Sequence, residues 1–200
     1  MKPTCIPLVP LIIEKIYKKK VQTLLEKNFL TKAAAKTPFL KKKIYKKAGN
    51  AILDFFGGHV RMIAIGGAPL GSEVENFLRI SEFPYVMGYG LTETAPLLTG
   101  ERVNETRKGS SGYPIKDVEI KILDPDPQTG IGEIYARGPN VMSGYYKNEG
   151  ITREVLSKDG WFKTGDKGYM DKDNYLYIRG RSKNMFLGPN GENIYPEVIE

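Results

Sequence analysis

Apolar residues in the first quarter of the chain recur at three- and four-residue steps. Between residues 11 and 30, Ile13, Ile16, Tyr17, Val21, Leu24, Leu25 and Phe29 share one stripe, which predicts an amphipathic helix with its lysines outward. Phe39, Leu40, Ile44, Ala48, Ile52 and Phe55 repeat the pattern and predict a second helix, ended by Gly57-Gly58. The β-branched run 60–65 stops at Gly66-Gly67 and reads as a buried strand. Ser72 and Glu75 have the spacing of a capping box and predict a short helix through Phe77 and Leu78. Residues 84–86 predict another brief strand, entering a glycine-rich turn at 88–90. Helix, strand, helix, strand implies an α/β layer with a largely parallel sheet.

Past Gly109 the pattern changes period. Residues 118–123 and 132–137 alternate apolar and polar around a run of Asp, Pro and Gly, which predicts a hairpin with an extended loop. Further short strands are expected at 162–163, 168–170 and 175–179, the last two joined by a turn at 171–174. Short strands between Gly/Asp/Pro turns suggest a small barrel or curled sheet. Residues 196–200 have the composition of an opening helix.

Composition narrows the class. Across 200 residues the apolar share is 40% and the aromatic share 10%, as in an ordinary globular protein. A single cysteine, Cys5, excludes an internal disulfide framework. Pro3, Pro7 and Pro10 break the only greasy stretch near the start, so neither a signal peptide nor a membrane span is expected. These features predict a cytoplasmic protein. Residues 1–50 carry 13 Lys+Arg against 2 acids, whereas the remaining 150 carry 17 against 21. The basic character is therefore local. It reads as a solvated helix face, or as a patch for peripheral contact with the anionic inner face of a membrane. Aromatic residues do not interleave with these lysines as a single-strand binder would need, and no nucleic-acid partner is expected.

Three segments hold more chemistry than packing requires. Gly66-Gly67-Ala68-Pro69-Leu70 is a strand end without bulk, either a plain turn or a place where backbone approaches a flat ligand. Gly88-Tyr89-Gly90-Leu91-Thr92-Glu93-Thr94 combines free backbone, an aromatic face, a hydroxyl for phosphate and a carboxylate for Mg2+. Gly160-Trp161-Phe162-Lys163-Thr164-Gly165-Asp166 ends on a second carboxylate, which alone would be a turn residue. Trp161 and Phe162 are expected in the core, His59 at a strand entry, and Met142, Met170 and Met185 as gap-fillers. Asp171, Asp173 and Asn174 lack the spacing of a calcium loop and predict a hairpin turn.

The sequence GYGLTET resembles the adenine-binding motif of the adenylate-forming superfamily, and specifically of its acyl-CoA synthetases. The segments at 160–166, Gly180-Arg181-Ser182-Lys183 and 191–200 resemble, in order and spacing, its ribose, hinge and C-terminal-domain motifs. Val9-Pro10 followed by Glu14-Lys15-Ile16-Tyr17 is similar to the long-chain fatty acid–CoA ligases. The resemblance implies an internal fragment: residues 1–108 from the α/β subdomain, 109–180 from a β-rich barrel-like subdomain, and 181–200 from the hinge and the start of a mobile domain. It implies that Tyr89 stacks on adenine, with Gly67, Ala68, Pro69, Gly88 and Gly90 around the base. Catalytic roles fall to Thr92, on the α-phosphate, and to Glu93, holding Mg2+. Asp166 would bind the ribose hydroxyls, Arg181 ribose or phosphate, and Lys183 would be the interdomain pivot. ATP/AMP, Mg2+, a fatty acid and coenzyme A are the implied small molecules. Aryl-CoA, fatty acyl-AMP and amino-acid-activating ligases share these motifs, and a non-catalytic basic module is the reading from another class. The sheet around residues 60–65 is expected to expose an apolar edge, open to pairing with a second copy.

The family reaction joins a carboxylate to the α-phosphate, releases pyrophosphate, then passes the acyl group to the thiol of coenzyme A. It uses a Ser/Thr/Gly-rich loop ending in lysine to grip the β- and γ-phosphates, and a lysine late in the C-terminal domain. Neither segment occurs between Met1 and Glu200. This 200-residue chain is therefore expected to show no turnover. A pyrophosphate-release assay with ATP, Mg2+, palmitate and coenzyme A tests this, and sustained release would refute it.

Overall fold

A computed structural model describes residues 2–23 and 37–182, together with the backbone of 186–187 and 193–194. The chain divides into two compact units, residues 1–87 with 102–109, and residues 88–101 with 110–200.

In the first unit, β1 (Cys5–Leu8), β2 (Met62–Ile65) and the first half of β3 (Tyr85–Gly90) lie parallel. Cys5 is opposite Met62 and Leu8 opposite Ile65, while Ile65 is opposite Met87. Helices α1 (Pro10–Tyr17), α2 (Pro38–Phe55) and α3 (Ser72–Ile80) connect them. Pro10 at the first turn starts α1 without losing a needed N–H. The helix continues as a π-turn over Lys18–Gln22, which keeps Val21 buried in the stripe of Ile13 and Tyr17. The predicted residues Leu24, Leu25 and Phe29, and the helix expected at 196–200, lie outside the described residues.

Ile63, Ile65, Ile13, Ile52 and Leu78 form the core around Phe77. The Phe77 ring sits 5.2 Å from both Tyr17 and Tyr45, in tilted and edge-on contacts. Tyr17 donates to Glu73 at 2.9 Å, and burial holds its hydroxyl pKa well above the ordinary tyrosine value.

Several expectations change here. The capping box does not form: Gly71 is the N-cap of α3, Ser72 is its first helical residue, and no side chain caps it. Glu75 instead turns inward. Its two oxygens accept from Gly109 N–H at 3.0 and 3.1 Å, and Tyr85 donates at 3.4 Å. A buried carboxylate needs those donors more than a solvated helix end needs a cap. The run 60–65 is not a sheet edge either, because β1 and β3 pair with both sides of β2. β1 takes the edge, where Pro7 costs no ladder bond. Its proline-broken pattern is what hid it in the sequence.

In the second unit the rest of β3 pairs antiparallel with β4 (Leu97–Gly100), which pairs with β5 (Tyr113–Pro114). A four-stranded antiparallel meander follows: β6 (Glu119–Leu123), β7 (Gly132–Arg137), β8 (Phe162–Met170) and β9 (Leu176–Arg181). Helix α4 (Glu149–Val155) interrupts it, with Asn148 as N-cap accepting from Ile151 N–H. Among the described residues the meander is an open sheet and not a closed barrel. Residues 162–163 and 168–170 are one strand, carried through Thr164-Gly165-Asp166. The backbone pairs Phe186–Leu187 with Asn193–Ile194, β10 and β11, form a separate ribbon.

Phe162 is core, as expected, but Trp161 is half-exposed. Lys121 Nζ lies 3.9 Å from its ring centroid and the Arg137 guanidinium 4.8 Å away. Two cations over one indole make it a surface clasp on the meander. The turn after β8 is the predicted one: Asp171 accepts from the N–H groups of Asp173 and Tyr175, each at 2.9 Å.

Phe77 is fully buried between two aromatic rings. Phe77→Ala is therefore expected to cost about 3–5 kcal/mol, read as a lower urea midpoint in denaturation of the chain.

Candidate functional site

The residues 88–94 hold their shape through one steric constraint and one hydroxyl. The stretch 88–90 is not the predicted turn but the end of β3, with Tyr89 opposite Thr99 on β4. A Cβ on Gly90 would sit 1.7 Å from the Pro96 carbonyl oxygen, so only glycine lets β4 fold back this closely. The chain then makes a 3-10 turn at Thr92–Thr94. Thr94 Oγ1, fully buried, accepts from Leu91 N–H at 3.0 Å and faces the Leu91 and Pro96 carbonyls at 3.0 and 2.8 Å. Asn140 Nδ2 donates to the Thr94 and Leu97 carbonyls at 2.8 and 2.7 Å. Met142 N–H donates to the Glu93 carbonyl at 2.8 Å. The turn is thus pinned at both ends, with Thr92 exposed and Glu93 half-buried.

The Glu93 carboxylate accepts from the Tyr145 hydroxyl at 2.9 Å. That donated bond, reinforced by some burial and by the carboxylate charge, raises the Tyr145 pKa and keeps the phenol protonated. The Tyr145 backbone is fixed in turn, its N–H donating to Thr152 Oγ1 at 2.9 Å.

The second carboxylate is carried by β8. Gly165 takes φ +77°, and its carbonyl accepts from Ser182 N–H at 2.9 Å. Thr164 Oγ1 donates to the Ile134 carbonyl at 2.8 Å and accepts from Asp166 N–H at 3.1 Å. Asp166 itself is only 6% exposed. The Tyr89 hydroxyl donates to its Oδ2 at 2.6 Å, and Arg181 Nε, directly across the β8–β9 ladder, lies 3.4 Å from its Oδ1. Burial, and then the Asp166 charge, push the Tyr89 pKa far above the ordinary tyrosine value.

The second unit therefore joins Tyr89, Asp166 and Arg181 in one cluster, although 77 residues separate the first two. Thr92 and Glu93 follow directly from the same strand, and Tyr145 reaches Glu93 from 52 residues further along the chain. Gly67, Ala68 and Pro69 follow β2 in the first unit, exposed, with Gly67 at φ +86°. Lys183 lies outside the described residues. Among the described residues no cluster of three His, Cys, Asp or Glu could cage a metal ion. A lone carboxylate such as Glu93 suits Mg2+, which keeps its waters and takes further oxygens from a substrate phosphate.

Residues 1–146 match the family model described as AMP-binding enzyme. The chain belongs to this family. A long-chain-fatty-acid–CoA ligase of Mycobacterium bovis is 33% identical, covering 100% of this chain and 35% of its own length. Long chain acyl-CoA synthetase 4 of Arabidopsis thaliana is 35% identical over 100% of this chain and 34% of its length. The 2-succinylbenzoate–CoA ligase of Enterococcus faecalis is 34% identical over 78% and 32%. The chain thus spans about a third of the length of the curated relatives it matches. Among solved structures, O-succinylbenzoate coenzyme A synthetase of Bacillus subtilis in complex with AMP superimposes at TM-score 0.71, with 28% identity, over 100% of this chain and 35% of that one. Its complex with ATP and magnesium ion gives 0.68 and 28% over 97% and 34%.

Sequence reasoning overlooked three residues of this AMP-binding region. Tyr145 sits beside Tyr146 in Gly144-Tyr145-Tyr146, and nothing in the sequence tells the Glu93 partner from its neighbour, which is 87% exposed. Asn140 and Thr94 act through backbone carbonyls, which leave no pattern in side-chain chemistry. Thr94→Val keeps the shape but leaves Leu91 N–H without its acceptor. It is expected to destabilise the second unit by about 1–3 kcal/mol, read by urea denaturation, with amide shifts confined to residues 91–96.

Proposed function

We propose that the chain supplies the adenosine-binding part of an ATP-dependent acid–thiol ligase, of the type that makes long-chain fatty acyl-CoA. The observation that carries this reading is the 2.6 Å bond from Tyr89 to a buried Asp166 flanked by Arg181. A rigid aromatic face beside an oriented carboxylate matches a purine joined to a vicinal diol, because only a carboxylate can accept both hydroxyls at once. The likeness to a synthetase solved with AMP supports the same ligand.

In the proposed reaction a carboxylate attacks the α-phosphate of ATP and pyrophosphate leaves. The coenzyme A thiol then attacks the acyl carbon, and AMP leaves. Thr92, exposed at the end of β3, would hydrogen-bond the α-phosphate, and Glu93 would present an oxygen to Mg2+, whose role is to neutralise phosphate charge. Asp166 would hold the ribose hydroxyls, with Arg181 reaching ribose or phosphate. These groups position and stabilise; none forms a covalent bond to substrate. Lys183 keeps the role of interdomain pivot that the resemblance implies.

Fatty acid is supported as the acyl group by the whole-chain likeness to long-chain ligases. A second reading, an aromatic carboxylate, is supported by the 2-succinylbenzoate–CoA ligase relative at 34% identity. Both readings share the adenosine residues. AMP is expected to bind at millimolar strength, producing NMR shifts at Tyr89, Thr92 and Asp166. Asp166→Asn should weaken it about tenfold or more, since a hydrogen bond to a charged group is worth about 1.5–3 kcal/mol. Unchanged spectra at tens of millimolar AMP, or a sub-micromolar constant, would contradict the proposal.

A further inference from the structure

The Tyr89 side chain has two distinct ends. Its ring packs on the small core of the second unit formed by Leu98, Val118 and Ala136, which fixes where the hydroxyl points. Thr99, its partner on β4, is itself fixed, its hydroxyl donating to the Ser111 carbonyl at 2.6 Å. From this anchored strand the hydroxyl reaches Asp166 Oδ2 on β8 at 2.6 Å. On the β8 side, Asp166 N–H is tied to Thr164 Oγ1, which is tied to the Ile134 carbonyl. Backbone ties alone leave the carboxylate free to rotate about its Cα–Cβ and Cβ–Cγ bonds. Arg181 restrains it weakly, at 3.4 Å from a guanidinium side chain that is 67% exposed. At 2.6 Å the phenol bond is the shorter of these two side-chain restraints on its orientation.

We propose that the Tyr89 hydroxyl is the positioning group for the Asp166 carboxylate, so that one residue sets recognition of both the base and the ribose. The inference rests on the adenosine-binding reading above. The ring contributes to any adenine nucleotide, with or without ribose hydroxyls. The hydroxyl contributes only when a vicinal diol meets the oriented carboxylate. Tyr89 is therefore a specificity determinant for ribose although it touches the sugar only through Asp166.

The experiment compares AMP with 2′,3′-dideoxy-AMP, titrated by NMR into the chain and its variants, with amide spectra confirming the fold. Tyr89→Phe is expected to weaken AMP about five- to tenfold more than it weakens dideoxy-AMP, so the preference for the diol falls. Tyr89→Trp, which keeps an aromatic face without a hydroxyl in that place, provides the same readout by a second route. Asp166→Asn is expected to remove the preference. If Asp166→Asn removes it while Tyr89→Phe retains it, the positioning role is overturned and the adenosine reading stands. Equal weakening of both ligands by Tyr89→Phe means that the bond is structural only, which also overturns the inference. If Asp166→Asn leaves the preference intact, the ribose reading fails and takes the inference with it.

Discussion

A carboxylate taken out of water must be given hydrogen-bond donors, and the second unit is arranged around that requirement at Asp166. The donors come from places far apart in the chain: Tyr89 on β3 and Arg181 on β9. Asp166 stands opposite Arg181 in the β8–β9 register, with a bulge at Lys167/Gly168. The Tyr89 bond ties the end of β3 to β8. The first unit solves the same problem differently: Glu75 gathers the Gly109 N–H and the Tyr85 hydroxyl, and with them the segment 102–109. In each unit one buried carboxylate ties together side chains and backbone from segments far apart in the chain.

This explains which parts of the molecule were legible in the sequence. The elements with a clear period, such as α2, β2 and the β6–β7 hairpin, are set by burial of an apolar face, and periodicity records burial. β1 was invisible because its prolines break the pattern, and an edge strand tolerates them. The capping-box reading of Ser72 and Glu75 failed because a local motif competes with a tertiary demand, and the buried carboxylate won. The stretch 88–90 looked like a turn because glycine is a turn residue in general. Here it serves close approach of Pro96, which no sequence pattern announces. Trp161 looked like core because it is large and apolar, yet the stacking of Lys121 and Arg137 keeps it at the surface.

The site was legible to a different degree. Tyr89, Thr92, Glu93, Asp166 and Arg181 were named from motifs, and the structure gathers three of them by direct contact. What motifs could not supply is the second layer: Tyr145 on Glu93, Thr94 inside the turn, Asn140 on two carbonyls, Thr164 behind Asp166. The basic first quarter also changes on inspection. Lys42 and Lys46 both pair with Glu82, at 2.7 and 2.5 Å, holding its carboxyl down at about 2. Lys41 and Lys20 lie over the rings of Tyr45 and Phe55. Part of the local charge is thus used within the unit, which weakens any argument from net charge to an anionic partner.

The two carboxylates ask for opposite things from their tyrosines. Asp166 is nearly fully buried and is oriented by a phenol at 2.6 Å, the arrangement expected of a group that must meet a fixed pair of hydroxyls. Glu93 is half-buried, and its tyrosine engages Oε1 at 2.9 Å on the rim of the turn. Under the proposed reading such a carboxylate is too weakly charged a site to hold Mg2+ alone, because that ion gives up its waters reluctantly. Phosphate oxygens must complete the shell, so the ion and the nucleotide would strengthen each other's binding by the same factor. Ribose recognition carries no such dependence. On that reading a nucleotide would be caught first by its adenosine end, where the contacts are built in advance, and the charged end would be assembled around it.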